Sequence, residues 1–403
     1  MSFQQGLSGL NAASKNLDVI GNNVANANTV GAKVARAEFA DVYANSLYGT
    51  TSTASGIGVS VAAVSQQFTQ GDLSTTNNPL DVGINGSGFF RTSQGGTIEY
   101  TRNGQFKLDR DGYVVNAQGA RLTGYLPDAN GQIANGSPGD LKLQMNDIAP
   151  RATTRGTLSM NVDAREAITT RPFDVNDSSS YTGATTMSVY DSLGREHSVS
   201  LYMRKTAANT WDAYGVVDGT TLPAQPTAGF SFDAAGRVTS ASPISLTIPV
   251  GADAGGTQTF SLDVSKVSQF GSKFGVTETT QDGYMPGRLS GFAIGQDGQV
   301  LARYSNGQSR SQGQIVLANF INSQGLAPLG GNAWAETSDS GQPLVGAPGS
   351  GNLGVVQSGA VENANIDLTA ELVNMITAQR VYQANAQTIR TQDQVMQTLV
   401  NLR

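Results

Sequence analysis

The sequence predicts a mixed fold: long, paired terminal α-helices, coiled-coil-like, enclosing nested and mainly antiparallel β domains. Three observations predict it. Apolar residues recur every seven positions at both ends of the 403-residue chain. A glycine-closed tight turn recurs between those ends. The composition, 38% hydrophobic and 14% charged with 48 Gly, suits short strands joined by turns and a polar, weakly charged surface.

At the N-terminus the row is Phe3, Leu10, Leu17 and Val24, with Leu7 four residues after the first. Ser2-Phe3-Gln4-Gln5 reads as a capping box, with Ser2 as N-cap and Gln5 at N3. The spacing predicts a helix over about residues 3–27, ended by Asn28-Thr29-Val30-Gly31. Gly6, Gly9 and Gly21 each cost about 1 kcal/mol relative to Ala inside a helix. Alone, such a segment is marginal.

At the C-terminus the row is Leu368, Met375, Tyr382, Ile389 and Met396. Leu372, Ala386 and Val400 accompany it at +4, and Leu399 at +3. Asp367 and Glu371 sit where a helix N-terminus favours negative charge. No Gly or Pro occurs from Leu368 to Arg403, so a helix roughly 54 Å long is expected. A sustained seven-residue period implies a seam packed against other helices. Gln379 and Asp393 interrupt the companion row here, as Ser14 and Gly21 do at the N-terminus. Each helix therefore needs completion, first of all by the other. If the ends pair, the chain runs out, builds domains and returns.

The middle reads as β structure. The turn recurs in Leu108-Asp109-Arg110-Asp111-Gly112, Tyr190-Asp191-Ser192-Leu193-Gly194, Phe232-Asp233-Ala234-Ala235-Gly236 and Ile294-Gly295-Gln296-Asp297-Gly298. In each, Gly takes a left-handed position before the return strand. In the first three, the opening Asp can bond its own turn. Residues 49–58 read as a flexible loop, and Pro150 and Pro286 sit near crossings between domains. The expected division is 1–30 with 364–403 as a helical inner core, 31–71 with 355–363 as a connecting segment, 72–146 with 284–354 as a β domain, and 147–283 as an inserted outer β domain.

Several functions are excluded. The net charge of −6 leaves no footprint for nucleic acid, and no apolar run is long enough for membrane insertion. The absence of Cys removes disulfides, thiolate catalysis and cysteine metal sites. The N-terminus lacks the pattern of a secretory signal peptide, so composition alone suggests a cytoplasmic protein. His197, the single histidine, reads as a surface turn residue. Asp109 and Asp111 do not make a calcium loop, because Gly112 comes at the fourth position and a strand follows. Gly83–Gly88 opens a strand rather than the helix a dinucleotide fingerprint needs, and Gly349-Ser350-Gly351 lacks the Lys of a phosphate loop. No catalytic residue, cofactor or metal site is expected.

Two long segments carry a resemblance. Leu17-Asp18-Val19-Ile20-Gly21-Asn22-Asn23-Val24-Ala25-Asn26-Ala27-Asn28-Thr29-Val30-Gly31 closely resembles the N-terminal signature of the flagellar rod, hook and hook-associated axial proteins. Glu371 to Ile389, with Gln379, Arg380 and Tyr382, resembles the matching C-terminal signature. Asn77–Val82, Gly86–Phe90 and Tyr100–Gly104 are similar to the same family. Ala32 departs from it, standing where members usually carry an aromatic residue. Within the family, the length and the insertion at 147–283 point to the hook-forming members rather than the shorter rod-forming ones. The resemblance implies Phe3, Leu7, Leu10, Leu17 and Val24, and Leu368, Leu372, Met375, Tyr382, Ile389, Met396 and Leu399, as assembly residues of a homopolymer. It also implies Asn22, Asn23, Asn26, Thr29 and Gly31 as signature positions. Implied partners are the distal rod protein, the hook cap, the hook–filament junction proteins and the flagellar type III export apparatus. The implied location is the extracellular hook, reached without a cleaved signal peptide. That reverses the cytoplasmic reading. A distal rod protein would need 147–283 to be a minor loop region. An exported β-rich adhesin or hydrolase would need a cleft of converging polar groups and no heptad rows.

Overall fold

The computed structural model describes residues 2–43, 56–128, 131–133, 136–223 and 226–401; the side chains at 2, 43, 57, 399 and 401 lie outside that description. Among the described residues there are two α-helices and many mostly antiparallel β-sheets, and the chain divides into two units. The first comprises Met1–Met145, Gly291–Arg303 and Ser309–Arg403; the second comprises Asn146–Ser290 and Tyr304–Gln308.

In the first unit, α1 spans Ser2–Ala25 and α2 spans Leu368–Asn401. The proposed cap at Ser2 lies outside the described side chains. The end of α1 is set by Asn26, whose N–H reaches the Asn22 and Asn23 carbonyls before the chain turns at Thr29. At the start of α2, Asp367 Oδ1 accepts from the N–H groups of Thr369 at 2.9 Å and Ala370 at 3.1 Å. That cap satisfies two of the orphan donors every helix start leaves. An antiparallel ribbon of β1 (Ala35–Tyr43) and β2 (Gly56–Gln66) follows α1, paired from Ala35↔Gln66 to Tyr43↔Gly56 with register shifts at Glu38/Phe39 and Val42/Tyr43. Residues 49–55 of the expected loop lie outside the described residues, and 56–58 are strand. They pair with Val42 and Tyr43 of β1, and Gln5 Nε2 donating to the Gly56 carbonyl and the Val59 N–H donating to Ser8 Oγ dock β2 on α1.

The β-sheets of this unit close around two clusters. Val82, Ile84, Phe90, Leu122, Leu141 and Ile315 belong to one. The other is aromatic, with Phe89, Tyr100, Phe320 and Trp334, and Phe68 packed against it. Its rings meet edge to face, as at Tyr100–Phe320 with centroids 4.8 Å apart. The second unit holds an antiparallel sheet through Gly183–Tyr190, Glu196–Ala207 and Thr210–Val217, and a mixed sheet around Arg155–Asp163. Its core includes Leu158, Met160, Leu201, Trp211, Phe230 and Phe260. The buried Trp211 Nε1–H donates to Gln269 Oε1 at 2.9 Å, so the ring is buried without an orphan donor.

The recurring turn is the local rule of both units. Asp109, Asp191 and Asp233 each accept two backbone N–H groups at +2 and +4 through Oδ1. Gly112, Gly194 and Gly236 sit at φ +86, +80 and +75. Asp109 is therefore committed to its hairpin. Asn116 closes the same turn on Gln118 and Ala120, with Gly119 at φ +87, a copy the sequence reading missed. His197 is not a surface turn residue. It lies in the strand Glu196–Ala207, its side chain 13% exposed, with Nδ1 2.7 Å from Asp218 Oδ2 and Nε2 3.6 Å from Asp191 Oδ2. The preceding turn and the neighbouring strand end fold two carboxylates over it. Burial opposes ionisation of Asp218, yet hydrogen bonds from His197 and the Ser198 N–H hold its carboxyl below the usual range.

Candidate assembly surface

The two helices form an antiparallel hairpin whose seam is built from small residues. A Cβ added at Gly6 would lie 3.1 Å from Ile389 Cγ1, and one at Gly9 would lie 2.8 Å from Asn385 Oδ1. At the other end, Asn23 Nδ2 reaches Glu371 Oε2 at 3.3 Å. Two of the three helix glycines thus have a packing reason, close approach of a second helix; Gly21 has nothing within 4 Å. On α1 the buried residues are Gly6, Ala12, Ala13, Val19, Ile20 and Asn23. On α2, Ala378 is the one buried residue among the described side chains.

Apart from Ile389, the seven-residue rows are not this seam. Phe3 and Leu7 are exposed, and Leu10, Leu17 and Val24 are half-buried. Leu368, Leu372, Tyr382 and Met396 are exposed, while Met375 and Ile389 are half-buried. Phe3 is 50% exposed and Met396 56%, so apolar surface that a seam should cover stays open. The side chain of Leu399 lies outside the described residues. Helix geometry gives the reason. At about 100° per residue, each row begins roughly a quarter turn from the α1–α2 contact and drifts about 20° per heptad. On α2 that drift carries it from the open side at Leu368 to the α1 contact at Ile389. Because the helices are antiparallel, both rows open on the same side of the hairpin. The opposite side faces β1 and β2 across a groove of about 870 Å³. Gly9, Ala12, Ala13, Ala35 and Ala37 line it, and Arg36 and Glu371 are its charged residues.

The N-terminal signature residues form a joint. Asn23 is buried and clamps Ala35, donating from Nδ2 to its carbonyl at 2.8 Å and accepting its N–H at 2.9 Å. Asn26 Nδ2 donates to the Asn22 carbonyl at 2.9 Å, and Thr29 Oγ1 reaches Asn26 Oδ1 at 3.4 Å. Asn22 itself is exposed. Gly31, at φ +73, donates its N–H to the Glu362 carbonyl at 2.8 Å. Ala32 is buried beside it. In the C-terminal signature, Gln379, Arg380 and Tyr382 all lie exposed on α2.

Sequence reasoning missed the ion cluster beside this joint. Glu362 Oε1 is 2.6 Å from Lys33 Nζ, and its Oε2 is 2.9 Å from Arg102 Nη1. All three side chains are almost wholly buried. Burial pushes the Lys33 ammonium below its ordinary pKa, against the opposing pull of Glu362. Asn365 adds a further tie, accepting the Val34 N–H at 2.8 Å and donating to the Gln67 carbonyl at 2.8 Å.

Four family models match the chain. They are Flagella basal body rod protein over residues 3–33 and Flagellar hook protein FlgE/F/G D1 domain over 83–165. Flagellar basal body protein FlaE D2 domain matches 161–284, and Flagellar basal body rod FlgEFG protein C-terminal matches 357–402. Over the whole of both chains, the sequence is 44% identical to the flagellar hook protein FlgE of Salmonella typhimurium. It is 43% identical to that of Escherichia coli K12, again over all of both chains. It is 33% identical to that of Borreliella burgdorferi, covering 100% of this chain and 99% of the relative. Among solved structures, the Helicobacter pylori flagellar hook protein FlgE2 shares the fold at a TM-score of 0.53 and 13% identity, covering 70% of this chain and 99% of that one.

Proposed function

The chain belongs to the flagellar hook protein family, and on that premise we propose that it polymerises through the two apolar rows of its terminal helices. It is a structural subunit of the bacterial flagellar hook, the curved, flexible tube that carries motor torque to the filament as a universal joint. The observation that carries the proposed contact is α2. It is a 34-residue helix that buries Ala378 alone among its described side chains, while Leu368, Leu372, Tyr382 and Met396 stay exposed. Contiguous exposed apolar surface of this kind marks an interaction site.

In this reading Phe3, Leu7 and Leu10 lie toward the Ile389 end of the hairpin and Leu17 and Val24 toward Leu372 and Met375, all opening on one side. Neighbouring subunits cover that side with rows of their own. The coiled-coil-like seam then lies between subunits, and segments too weak alone finish folding on assembly. Residues 1–30 with 364–403 form the inner tube, and 31–71 with 355–363 connect it outward. Residues 72–146 with 284–354 form a β domain, and 147–283 an outer one. The outer surfaces are poor in charge and slide past one another without breaking buried ion pairs. The distal rod protein, the hook cap and the hook–filament junction proteins meet the tube at its ends. Export by the flagellar type III apparatus delivers the subunit without a cleaved signal peptide. A rod assignment fits less well, because Asn146–Ser290 is the bulk of a unit with its own core.

Deleting residues 368–403 tests the contact. The truncated chain should keep the antiparallel sheet of its second unit but leave no pelletable polymer after ultracentrifugation. Normal polymer from the truncated chain contradicts the reading.

A further inference from the structure

The chain passes between the helical hairpin with its ribbon and the β-sheets twice, at residues 67–72 and 363–367. The turn from α1 into β1 touches the sheets as well, where Asn332 Nδ2 donates to the Val30 carbonyl at 2.9 Å. All three places are tied to one residue. The Glu362 carbonyl accepts from the Gly31 N–H at 2.8 Å. Its Oε1 accepts from Lys33 Nζ at 2.6 Å and from the Gly71 N–H at 2.9 Å. Its Oε2 accepts from Arg102 Nη1 at 2.9 Å. The cations extend the tie, Lys33 Nζ to the Thr69 carbonyl at 2.7 Å and Arg102 Nη2 to the Gly86 carbonyl at 2.9 Å.

The charges are unequal: one buried carboxylate serves two buried cations. Such a cluster is costly to bury and contributes little as a stabiliser compared with apolar packing. What it supplies is geometry, because the bonds to the carboxylate and from the two cations are short, charged and directional. A hook subunit must pass torque from one part of itself to another, and slack at two narrow crossings would absorb it.

We propose that Glu362 is the positioning residue of the subunit's load path, locking both crossings and the α1–β1 turn into one rigid coupling between the terminal helices and the β-sheets. This rests on the reading that load enters through the terminal helices. The charge count sets the order of effects. Removing the carboxylate strands two buried cations. Removing Lys33 leaves a matched Glu362–Arg102 pair.

Hydrogen exchange on the full-length unassembled subunit tests the coupling independently of polymerisation. In E362Q the Gly31 and Gly71 amides should exchange on the order of 100-fold faster, as expected when buried charge loses its partner. Core amides at Val82 and Leu122 should keep their protection. K33M loses the bonds to Glu362 and Thr69 but leaves a matched Glu362–Arg102 pair, and the same two amides should accelerate by less than about tenfold. E362D keeps the charge but shortens the reach, and should fall between the two even if E362Q fails to fold. Assembled E362D hooks should pellet as wild type does, because the rows are untouched, yet lose torsional stiffness in a tethered-bead measurement. Equal loosening of core and crossings, K33M as disruptive as E362D, or E362D hooks of unchanged stiffness would each overturn the proposal. Failure of E362D to pellet, with its crossing amides behaving as expected, would instead count against the contact proposed for the rows.

Discussion

At Gly31 the backbone turns at φ +73 while the sheets press close from outside. A Cβ there would lie 2.5 Å from the Asn103 backbone nitrogen. Gly31→Ala combines left-handed strain with a clash against unyielding backbone, and should cost about 2–5 kcal/mol in chemical denaturation. Gly21→Ala is the contrast. It sits in a helix with nothing within 4 Å, and should stabilise α1 by about 0.5–1 kcal/mol. Equal losses at both positions would mean that backbone space does not set the difference. At this scale, legibility followed locality. The Asp-opened turns were readable because donor and acceptor lie within four residues of each other. The Asn116 copy was missed because Asn stands where Asp marked the others. His197 was misread because its covering carboxylates come from a turn and a neighbouring strand. Glu362 left no sequence signal, since its cations lie 329 and 260 positions away.

The terminal helices show what periodicity can and cannot carry. The rows marked both helices and nearly their ends: α1 runs Ser2–Ala25 where about 3–27 was expected, and α2 begins at Leu368 as expected. The rows did not reveal the intrachain seam, because Gly6, Gly9, Ala13 and Ala378 carry too little apolar signal to stand out. Close helix approach needs small residues, and small residues are quiet in a hydrophobicity pattern. The two sets of positions therefore largely separate, with small residues and Ile389 at the seam within the subunit and the other large row residues open or half-buried. Substitution distinguishes them. Leu372→Gln lies on the open row and should change subunit stability by no more than about 0.5 kcal/mol, as for an exposed site. It should nevertheless raise the protein concentration needed for polymerisation, read by light scattering. Gln387→Asp, exposed on the far side of α2 from the row, should polymerise as wild type does. Matching effects at the two sites would remove the row's special status.

Across the whole chain, the two helices proposed for assembly are the elements farthest apart in sequence. The chain divides into two units with cores of their own, and both terminal helices belong to the first. Low charge, high Gly and turn-bounded strands foretold β structure in the middle. The mixed sheet around Arg155–Asp163, with its parallel partners at Ser261–Asp263 and Ser268–Phe270, was not foretold. Parallel pairing joins segments far apart in sequence and leaves no hairpin turn to read. The helical ends are the opposite case, distant in sequence but marked by the same period. The measurement that tests their role most directly is electron cryo-microscopy of polymer grown from the full-length chain. The account predicts that Phe3, Leu10, Leu372, Met375 and Tyr382 are buried against helices of neighbouring subunits. A polymer in which those side chains face solvent, with subunits joined only through their β-sheets, would contradict it.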